Sequence, residues 1–297
     1  MPGLRRMNLV QRDGTSFFSR QVVSLVVVSL MLLLSNVVWA GEKIGKFSPE
    51  RDLYLPQFDC KTDVDDVHSA AAVATMLRSP RMSGVNYHAV TGTYGIQEGL
   101  YVPPNEIFEL AFAGHWSDAH KDREQALQTV VQMVRETLLS GGSVWVAEAG
   151  QSDFTADWLK RIEALRLDSP KGARVHVVQH SDWNESVTSP DKLEYVRQHA
   201  EYHKIPDGNS PDNGSPDFHE ESDLLWRRVL DSERDGETWR LAKDIADEFN
   251  GAEGRYENSA IAGGGMDFSD VAESSWIFGF DGLKDAEAFF DEFLSAD

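Results

Sequence analysis

The feature of the sequence that most restricts the fold is an alternation of short β-rich runs with amphipathic helical patterns. This alternation is typical of βαβ units, in which helices connect the parallel strands of one sheet. We predict strands at residues 52–59, 85–91, 143–147 and 174–179. The helices predicted between and after them cover residues 67–77, 123–139, 154–165 and 191–199. The sequence therefore predicts an α/β fold with a mainly parallel open sheet and flanking helices.

The last third of the chain departs from this alternation. Residues 205–223 are rich in Pro, Gly, Asn, Asp and Ser, a composition that predicts a long irregular loop. Loops of this length in compact domains often cover binding sites, and a solvated insertion is the alternative. Helical patterns then resume at 223–230 and 238–249, and helices from Val271 and at 285–294 are expected to close the chain.

Residues 1–40 have the pattern of an export signal. A basic start precedes an apolar run at 22–38, and Val38 and Ala40 fit the cleavage rule for signal peptidase. We predict a signal peptide at 1–40, cleaved after Ala40, with an uncleaved N-terminal anchor as the alternative. The remaining residues, 41–297, are enough for a single domain with a substantial core. The protein is therefore expected in the periplasm or outside the cell.

The charge of the chain restricts its partners. The formal net charge is -21 at pH 7, and a field of this sign repels phosphate backbones and anionic lipids. We therefore expect no nucleic-acid partner, no membrane association after signal cleavage, and a small neutral molecule as the substrate. Cys60 is the only cysteine, which excludes an intramolecular disulfide.

Four carboxylates lie close together between the first predicted strand and the first predicted helix: Asp59, Asp63, Asp65 and Asp66. Like charges at this density repel one another unless a cation, a shared proton or helix N-terminal amides offset them. A hard cation such as Ca²⁺ binds several carboxylate oxygens, which this segment supplies. The alternative is an acidic helix cap in which Asp63 or Asp65 bonds free amides. The density of carboxylates favours a functional site over a cap.

Other polar residues follow the predicted strands. Ligands of open α/β sheets bind beyond the carboxyl ends of the strands. Segments 91–97, 148–153 and 180–184 therefore join Asp59 as candidate positions. His180 lies in the last of these segments. A structural histidine is the more common interpretation of such a residue, and a role in the site is the alternative.

The segment from Asp59 to Asp66 reads Asp-Cys-Lys-Thr-Asp-Val-Asp-Asp and resembles the signature of the nucleoside hydrolases, the inosine-uridine nucleoside N-ribohydrolase family. In that signature two aspartates spaced by one residue end a strand, and an Asp-Asp pair opens a helix after a Pro-Gly turn. Asp59, Asp65 and Asp66 match this pattern, whereas Lys61 replaces the remaining aspartate. The turn is more similar to the nucleoside-hydrolase-like domain of secreted bacterial proteins of the cellulose-binding type, which has an acidic residue at the position of Asp63.

The resemblance implies a Rossmann-like nucleoside hydrolase fold and hydrolysis of a glycosidic bond. In the family, Ca²⁺ holds sugar hydroxyls and a water, and an aspartate takes a proton from that water. Family members often form dimers or tetramers, so a homo-oligomer is expected. The resemblance implies Asp59 or Asp66 as the base. The implied metal ligands are Asp65, Asp66, Asp153 and Asp270. The implied substrate-binding residues are Lys61, Asp63, Gln97, Asp182, Asn184, Asn209 and Asp267.

The sequence leaves two points open. Asp267 and Asp270 both resemble the late aspartate of the family's metal site. Lys61 either displaces the cation by pairing with Asp59, Asp66 or Asp270, or points outward and leaves a metal with fewer ligands. In the first case the protein is a carbohydrate-binding protein that has lost catalysis. A cluster that binds Ca²⁺ only for stability is a third hypothesis.

Overall fold

The computed structural model describes Gly3 and residues 42–165, 174–210 and 213–294. The signal peptide predicted at 1–40 lies outside the described residues, except for Gly3. The chain from Gly41 to Asp297 forms one compact unit. Among the described helices, none combines the length and the apolar character that a bilayer crossing needs.

The centre of the fold is a parallel sheet of seven strands. In chain order they are β1 (Leu53–Phe58), β2 (Asn86–Tyr87), β3 (Ala89–Thr91), β4 (Trp116–Asp118), β5 (Val144–Ala149), β6 (Val175–Gln179) and β7 (Glu201–Lys204). Across the sheet the order is β4, β3, β1, β5, β6, β7, and β2 pairs with the first part of β1. All of these pairings are parallel. The predicted α/β class with a mainly parallel open sheet is confirmed, and the architecture is Rossmann-like.

Helices connect the strands and cover the sheet. In chain order they are α1 (Asp65–Arg78), α2 (Asn105–Phe112), α3 (Arg123–Leu139), α4 (Asp153–Ala164), α5 (Asp182–Ser186), α6 (Pro190–His199), α7 (Leu224–Leu230), α8 (Gly236–Phe249), α9 (Ser259–Ala262), α10 (Ala272–Phe278) and α11 (Ala286–Phe293). A short antiparallel pair, β8 (His219–Glu220) and β9 (Met266–Asp267), lies outside the main sheet. The prediction of irregular structure throughout 205–223 was therefore wrong at β8, because two residues of strand leave no periodic signal.

Both faces of the sheet are buried, as is usual for parallel sheets. Tyr54 and Phe58 of β1 belong to one core, together with side chains of α1, α2 and α8. Leu53 and Leu55 belong to the other core, together with side chains of α3 and α4. Because successive side chains of a strand point to opposite faces, a strand between two cores is apolar almost throughout. This is why the central strands could be located from the sequence.

Pro56 lies inside the central strand β1, where a residue without a backbone N–H is uncommon. On one side β1 pairs continuously with β5, and Pro56 lies opposite Ala147. On the other side the pairing with β2 ends at Tyr54 and the pairing with β3 begins at Gln57. The ladder is thus interrupted at the level of Pro56, and the strand predicted at 85–91 is divided into β2 and β3.

The elements that were not predicted include α2, β4, α5 and β7 of the region around the main sheet. Strand β4 has three residues and α5 has five, so neither is long enough to show a period. Strand β7 lies at the edge of the sheet and reads Glu-Tyr-His-Lys. Polar edge strands prevent unwanted pairing with other chains, and the same polarity removes the apolar pattern by which strands are recognised.

Glu148 is a buried carboxyl within the sheet. It lies on β5 opposite Gln57 of β1, and the Ser152 hydroxyl donates to its Oε2 at 2.6 Å. Its Oε1 has no hydrogen-bond partner among the described residues. Burial raises the pKa of Glu148 to about 7, against the opposing effect of the Ser152 hydrogen bond. Compared with the unfolded chain, the folded state therefore favours the protonated, neutral form of the Glu148 side chain.

This pKa predicts a dependence of stability on pH. The folded-state pKa of Glu148 lies above its ordinary value of 4.5, so its contribution is complete below about pH 4.5 and is lost as the pH rises through about 7. At about 1.4 kcal/mol per pKa unit, the loss is about 3 kcal/mol. We expect Glu148→Gln to reduce the fall in unfolding free energy between about pH 5 and about pH 8, measured by urea denaturation. The matched change of an exposed residue, Glu136→Gln on α3, should leave the fall intact. An unaltered fall in Glu148→Gln would contradict the assignment.

Candidate functional site

Polar residues from several connections converge at the edge of the sheet where the parallel strands end. Asp59 follows β1, Gln97 lies in the connection after β3, Gln151 follows β5 and His180 follows β6. A 3₁₀ turn after β9 brings Asp270 to the same edge. Residues far apart in the sequence therefore form one polar site, in the position that open α/β sheets favour for ligands.

Three carboxylates form the centre of this site, and we call them the carboxylate triad: Asp65 and Asp66 at the start of α1, and Asp270. Oxygen atoms of the three lie within 4.8 Å of one another. The backbone N–H of Cys60 donates to Asp66 Oδ2 at 2.7 Å, whereas the buried Asp66 Oδ1 has no partner among the described residues. Burial is the largest cause that raises the pKa of all three side chains well above the usual range, and neighbouring carboxylates add to it. Such a group either retains protons or holds a cation.

The carboxylate triad fits a metal ion. Hard cations such as Ca²⁺ take oxygen ligands at about 2.3–2.6 Å, so two ligands of one ion lie at most about 5 Å apart. The 4.8 Å limit on the triad's oxygen separations meets this condition. The unpartnered Oδ1 of Asp66 is an atom that such an ion would satisfy. Of the two candidates for the late aspartate, Asp270 belongs to the triad and Asp267 does not.

Two predicted site residues lie apart from the triad. The hydroxyl and N–H of Ser189 donate to Asp153 Oδ1 and Oδ2 at 2.6 and 3.0 Å, so this carboxylate ties α4 to the start of α6. Asp182 is exposed and forms an ion pair with Lys204 at 2.9 Å. Acidic residues follow most strands of this acidic chain, and position after a strand does not tell which way a side chain points.

Asp59 lies beside the triad, and both of its carboxylate oxygens accept hydrogen bonds. The backbone N–H of Lys61 donates to Oδ1 at 2.6 Å, and the amides of Gln97 and Gln151 donate to Oδ2 at 3.2 and 2.7 Å. Burial raises the pKa of Asp59 to about 6, while these hydrogen bonds act in the opposite direction. Gln151 also donates to Asn184 Oδ1 at 3.2 Å. The predicted residues Gln97 and Asn184 thus belong to one amide network around Asp59.

A second polar group surrounds Asp267. The Asn258 amide donates to its Oδ2 at 2.8 Å, and the backbone N–H of Ser269 donates to its Oδ1 at 3.0 Å. Burial, followed by repulsion from Asp267, raises the pKa of Asp63 to about 7. The Ser269 hydroxyl donates to Asn209 Oδ1 at 2.7 Å. The predicted substrate-binding residues Asp63, Asn209 and Asp267 therefore lie in a common group.

Lys61 points its ammonium away from the triad. Its Nζ donates to the backbone carbonyl of Gln97 at 2.8 Å and lies 4.5 Å from the ring centre of Tyr94. Within the described part of the chain, it forms no ion pair with a carboxylate. Of the two alternatives that the sequence left open, the structure has the ammonium outside the carboxylate triad.

His180 is a buried histidine enclosed by three carboxylates. Its Nδ1 lies 2.9 Å from Glu273 Oε1, and its Nε2 lies 4.0 Å from both Asp207 Oδ1 and Asp270 Oδ1. Burial alone would lower the pKa of His180, but the carboxylates, Glu273 foremost, raise it to about 9. The imidazole therefore brings positive charge to the edge of the triad.

Four residues of the site were not predicted from the sequence: Asp207, Gln151, Asn258 and Glu273. Gln151 lies in a predicted strand-end segment, in which the resemblance implied Asp153 instead. Glu273 lies on α10 among buried residues, where the sequence carries no sign of a polar role. Asn258 lies nine positions before its partner Asp267, whereas the contacts of Gln151 with Asp59 and of Glu273 with His180 are long-range, so only the assembled fold brings these residues to the site.

A comparison of the chain with protein-family models, curated proteins and solved structures found no match.

The geometry predicts which aspartates control metal binding. We expect Asp66→Asn and Asp270→Asn to weaken Ca²⁺ binding by more than about 100-fold, because residues that only support ligands already contribute about 10–100-fold. Asp153→Asn, a matched change of a buried aspartate outside the triad, should alter the affinity much less. Titration calorimetry with Ca²⁺, Mg²⁺ and Mn²⁺ measures these affinities. Equal losses in all three variants would show that the triad is not the metal site.

Proposed function

We propose that the protein is an exported hydrolase that cleaves a glycosidic bond by directing water to the anomeric carbon of a sugar. The observation that carries the proposal is the buried, unpartnered Oδ1 of Asp66 in a triad of carboxylates, beside Asp59, which the Gln151 amide holds. A cation site next to a further carboxylate is the arrangement that metal-assisted hydrolysis needs. The resemblance of the segment from Asp59 to Asp66 to the nucleoside hydrolases supports the same chemistry, with an N-glycosidic bond as the specific case.

Two parts of the site have different roles in this reaction. A bound Ca²⁺ ion would supply a water of lowered pKa and binding positions for sugar hydroxyls. Asp59 takes the proton from the attacking water, since its pKa of about 6 lies close to neutral pH, where a general base is effective. The amides of Gln97 and Gln151 keep the Asp59 carboxylate oriented. Asp65, Asp66 and Asp270 would hold the ion.

The electrostatics of the site suit the transition state of this reaction. Positive charge develops on the sugar ring as the bond to the leaving group breaks. The carboxylates around the ring stabilise that charge, and they do so more effectively in a buried site than in water. A neutral substrate also approaches a protein of net charge -21 without repulsion.

The proposal is tested with the full chain against ribonucleosides and p-nitrophenyl glycosides. We expect hydrolysis of at least one substrate, inhibition by EGTA and recovery with Ca²⁺. At saturating Ca²⁺, Asp59→Asn should lower kcat by about 10²–10⁴-fold, because it removes the base, while Ca²⁺ affinity falls by no more than about 10–100-fold. Asp153→Asn should retain activity. Hydrolysis that persists in EGTA, or at full rate in Asp59→Asn, contradicts the mechanism.

A carbohydrate-binding protein without catalysis is the second candidate. The observation that favours it is that both oxygens of Asp59 already accept hydrogen bonds from Lys61, Gln97 and Gln151. A carboxylate held in this way is suited to bind a sugar hydroxyl. Binding of a sugar without hydrolysis, in the presence of Ca²⁺, would favour this function over the first.

The position of Lys61 predicts the effect of removing its charge. Its ammonium bonds to the Gln97 carbonyl instead of the triad, so Lys61→Met should change Ca²⁺ affinity by less than about tenfold. Lys61→Gln, which retains a donor for the carbonyl, is the matched control for loss of that contact. A large gain in Ca²⁺ affinity in both variants would show that the ammonium competes with the ion. Calorimetric titration distinguishes these outcomes.

A further inference from the structure

His180 is a feature of the site to which the proposed reaction assigns no role. The side chain is 1% exposed, and Glu273 behind it is fully buried. Glu273 Oε1 lies 2.9 Å from Nδ1 and also accepts the backbone N–H of His180 at 3.2 Å. The contact at Nδ1 is an ion pair without hydrogen-bond alignment, since Nδ1 has no hydrogen-bond partner among the described residues. This ion pair and the close packing around a side chain that is 1% exposed restrict the orientation of the imidazole. The other nitrogen, Nε2, is therefore held in one direction.

Nε2 faces two carboxylates across a gap. Asp207 Oδ1 and Asp270 Oδ1 each lie 4.0 Å from it, beyond the range of about 3.5 Å in which a direct hydrogen bond forms. An oxygen about 2.8 Å from Nε2 and about 2.8 Å from one carboxylate oxygen would span this separation. A hydroxyl group can donate and accept, so it fits the gap in either protonation state of the ring.

Asp207, one of the two carboxylates that face Nε2, belongs to the segment 205–223. Asp207 is half-exposed, and the next residue, Gly208, packs closely on the chain beside Asp270. A Cβ atom at Gly208 would lie 2.8 Å from the backbone oxygen of Ser269. This close approach holds Asp207 opposite His180. The described residues 207–208 therefore contribute a carboxylate to the site.

We propose that His180 is a substrate-binding residue whose Nε2 hydrogen-bonds one hydroxyl of the bound sugar, in the gap between Asp207 and Asp270. This role rests on the proposed function, because it takes a sugar as the ligand. It adds the recognition of one particular hydroxyl by a histidine that Glu273 orients.

The test combines deletion of the side chain with deletion of single hydroxyls. The probes are uridine and methyl β-D-glucopyranoside, each with its series of single-deoxy analogues, and their binding to the full chain is measured by calorimetry with Ca²⁺ present. Asp59→Asn serves as the background in all samples, so that turnover does not interfere. We expect one deoxy analogue to bind about 10–100-fold more weakly than its parent, as is usual for loss of a hydrogen bond to a charged group.

His180→Gln should lower the affinity for the parent sugar by a similar factor and leave the affinity for that one deoxy analogue nearly unchanged. Asp207→Asn should reduce the same hydroxyl preference, and its half-exposed position makes it a second test if His180→Gln does not fold. His88→Gln is the matched control, since His88 is also buried and bonds Ser117 away from the triad. Equal weakening of the parent and every deoxy analogue by His180→Gln, or no weakening, overturns the role.

The outcomes separate this role from the proposed function. If the natural chain hydrolyses a substrate but His180→Gln changes the affinities for the parent and all deoxy sugars equally, the role of His180 is overturned and the proposed hydrolase function stands. Coupling in binding without hydrolysis of any substrate keeps the role and overturns the hydrolase. Failure of both sugar series to bind, with no hydrolysis, overturns both.

Discussion

Carboxylates buried side by side repel one another more strongly than in water, and the site depends on how that repulsion is offset. Part of the compensation is built into the backbone. Asp65 and Asp66 open α1, where the helix dipole favours negative charge, and the N–H of Cys60 binds Asp66. The pKa values of the triad nevertheless remain well above the usual range. The chain therefore leaves a position for protons or a cation, and a divalent ion displaces protons from such ligands.

The carboxylates of the site have two kinds of hydrogen-bonding environment. The triad is poor in donors, so its oxygens are available to a cation. Asp59 is rich in donors, but two of them are the neutral amides of Gln97 and Gln151. Neutral donors orient a carboxylate without the strong stabilisation of its charged form that an arginine gives. The result is a carboxylate of fixed orientation with a pKa of about 6 next to a cation site, and these are the properties that a base and a metal centre require separately.

The sequence predicted what is local and left out what is long-range. The four aspartates of one short segment and the alternation of strands with helices are local patterns, and both led to the edge of the sheet where the polar residues converge in the structure. The contact of His180 with Glu273 spans 93 positions, and that of Asp59 with Gln151 spans 92. No period or motif encodes such contacts. The sequence did not distinguish Asp267 from Asp270, and only the turn after β9 places Asp270 in the triad.

The net charge of the site favours cation binding more directly than the identity of any single ligand does. Among the described residues, Lys61 and His180 bring cationic groups to this edge, and Lys61 donates its ammonium to the Gln97 carbonyl. His180 lies 4.0 Å from Asp270, but Glu273 lies nearer to its ring, at 2.9 Å. Neither side chain therefore neutralises the triad. A buried surplus of negative charge is costly unless it is paired, and a divalent ion would supply the missing positive charge. The carboxylates involved are Asp59, Asp63, Asp65, Asp66, Asp267 and Asp270.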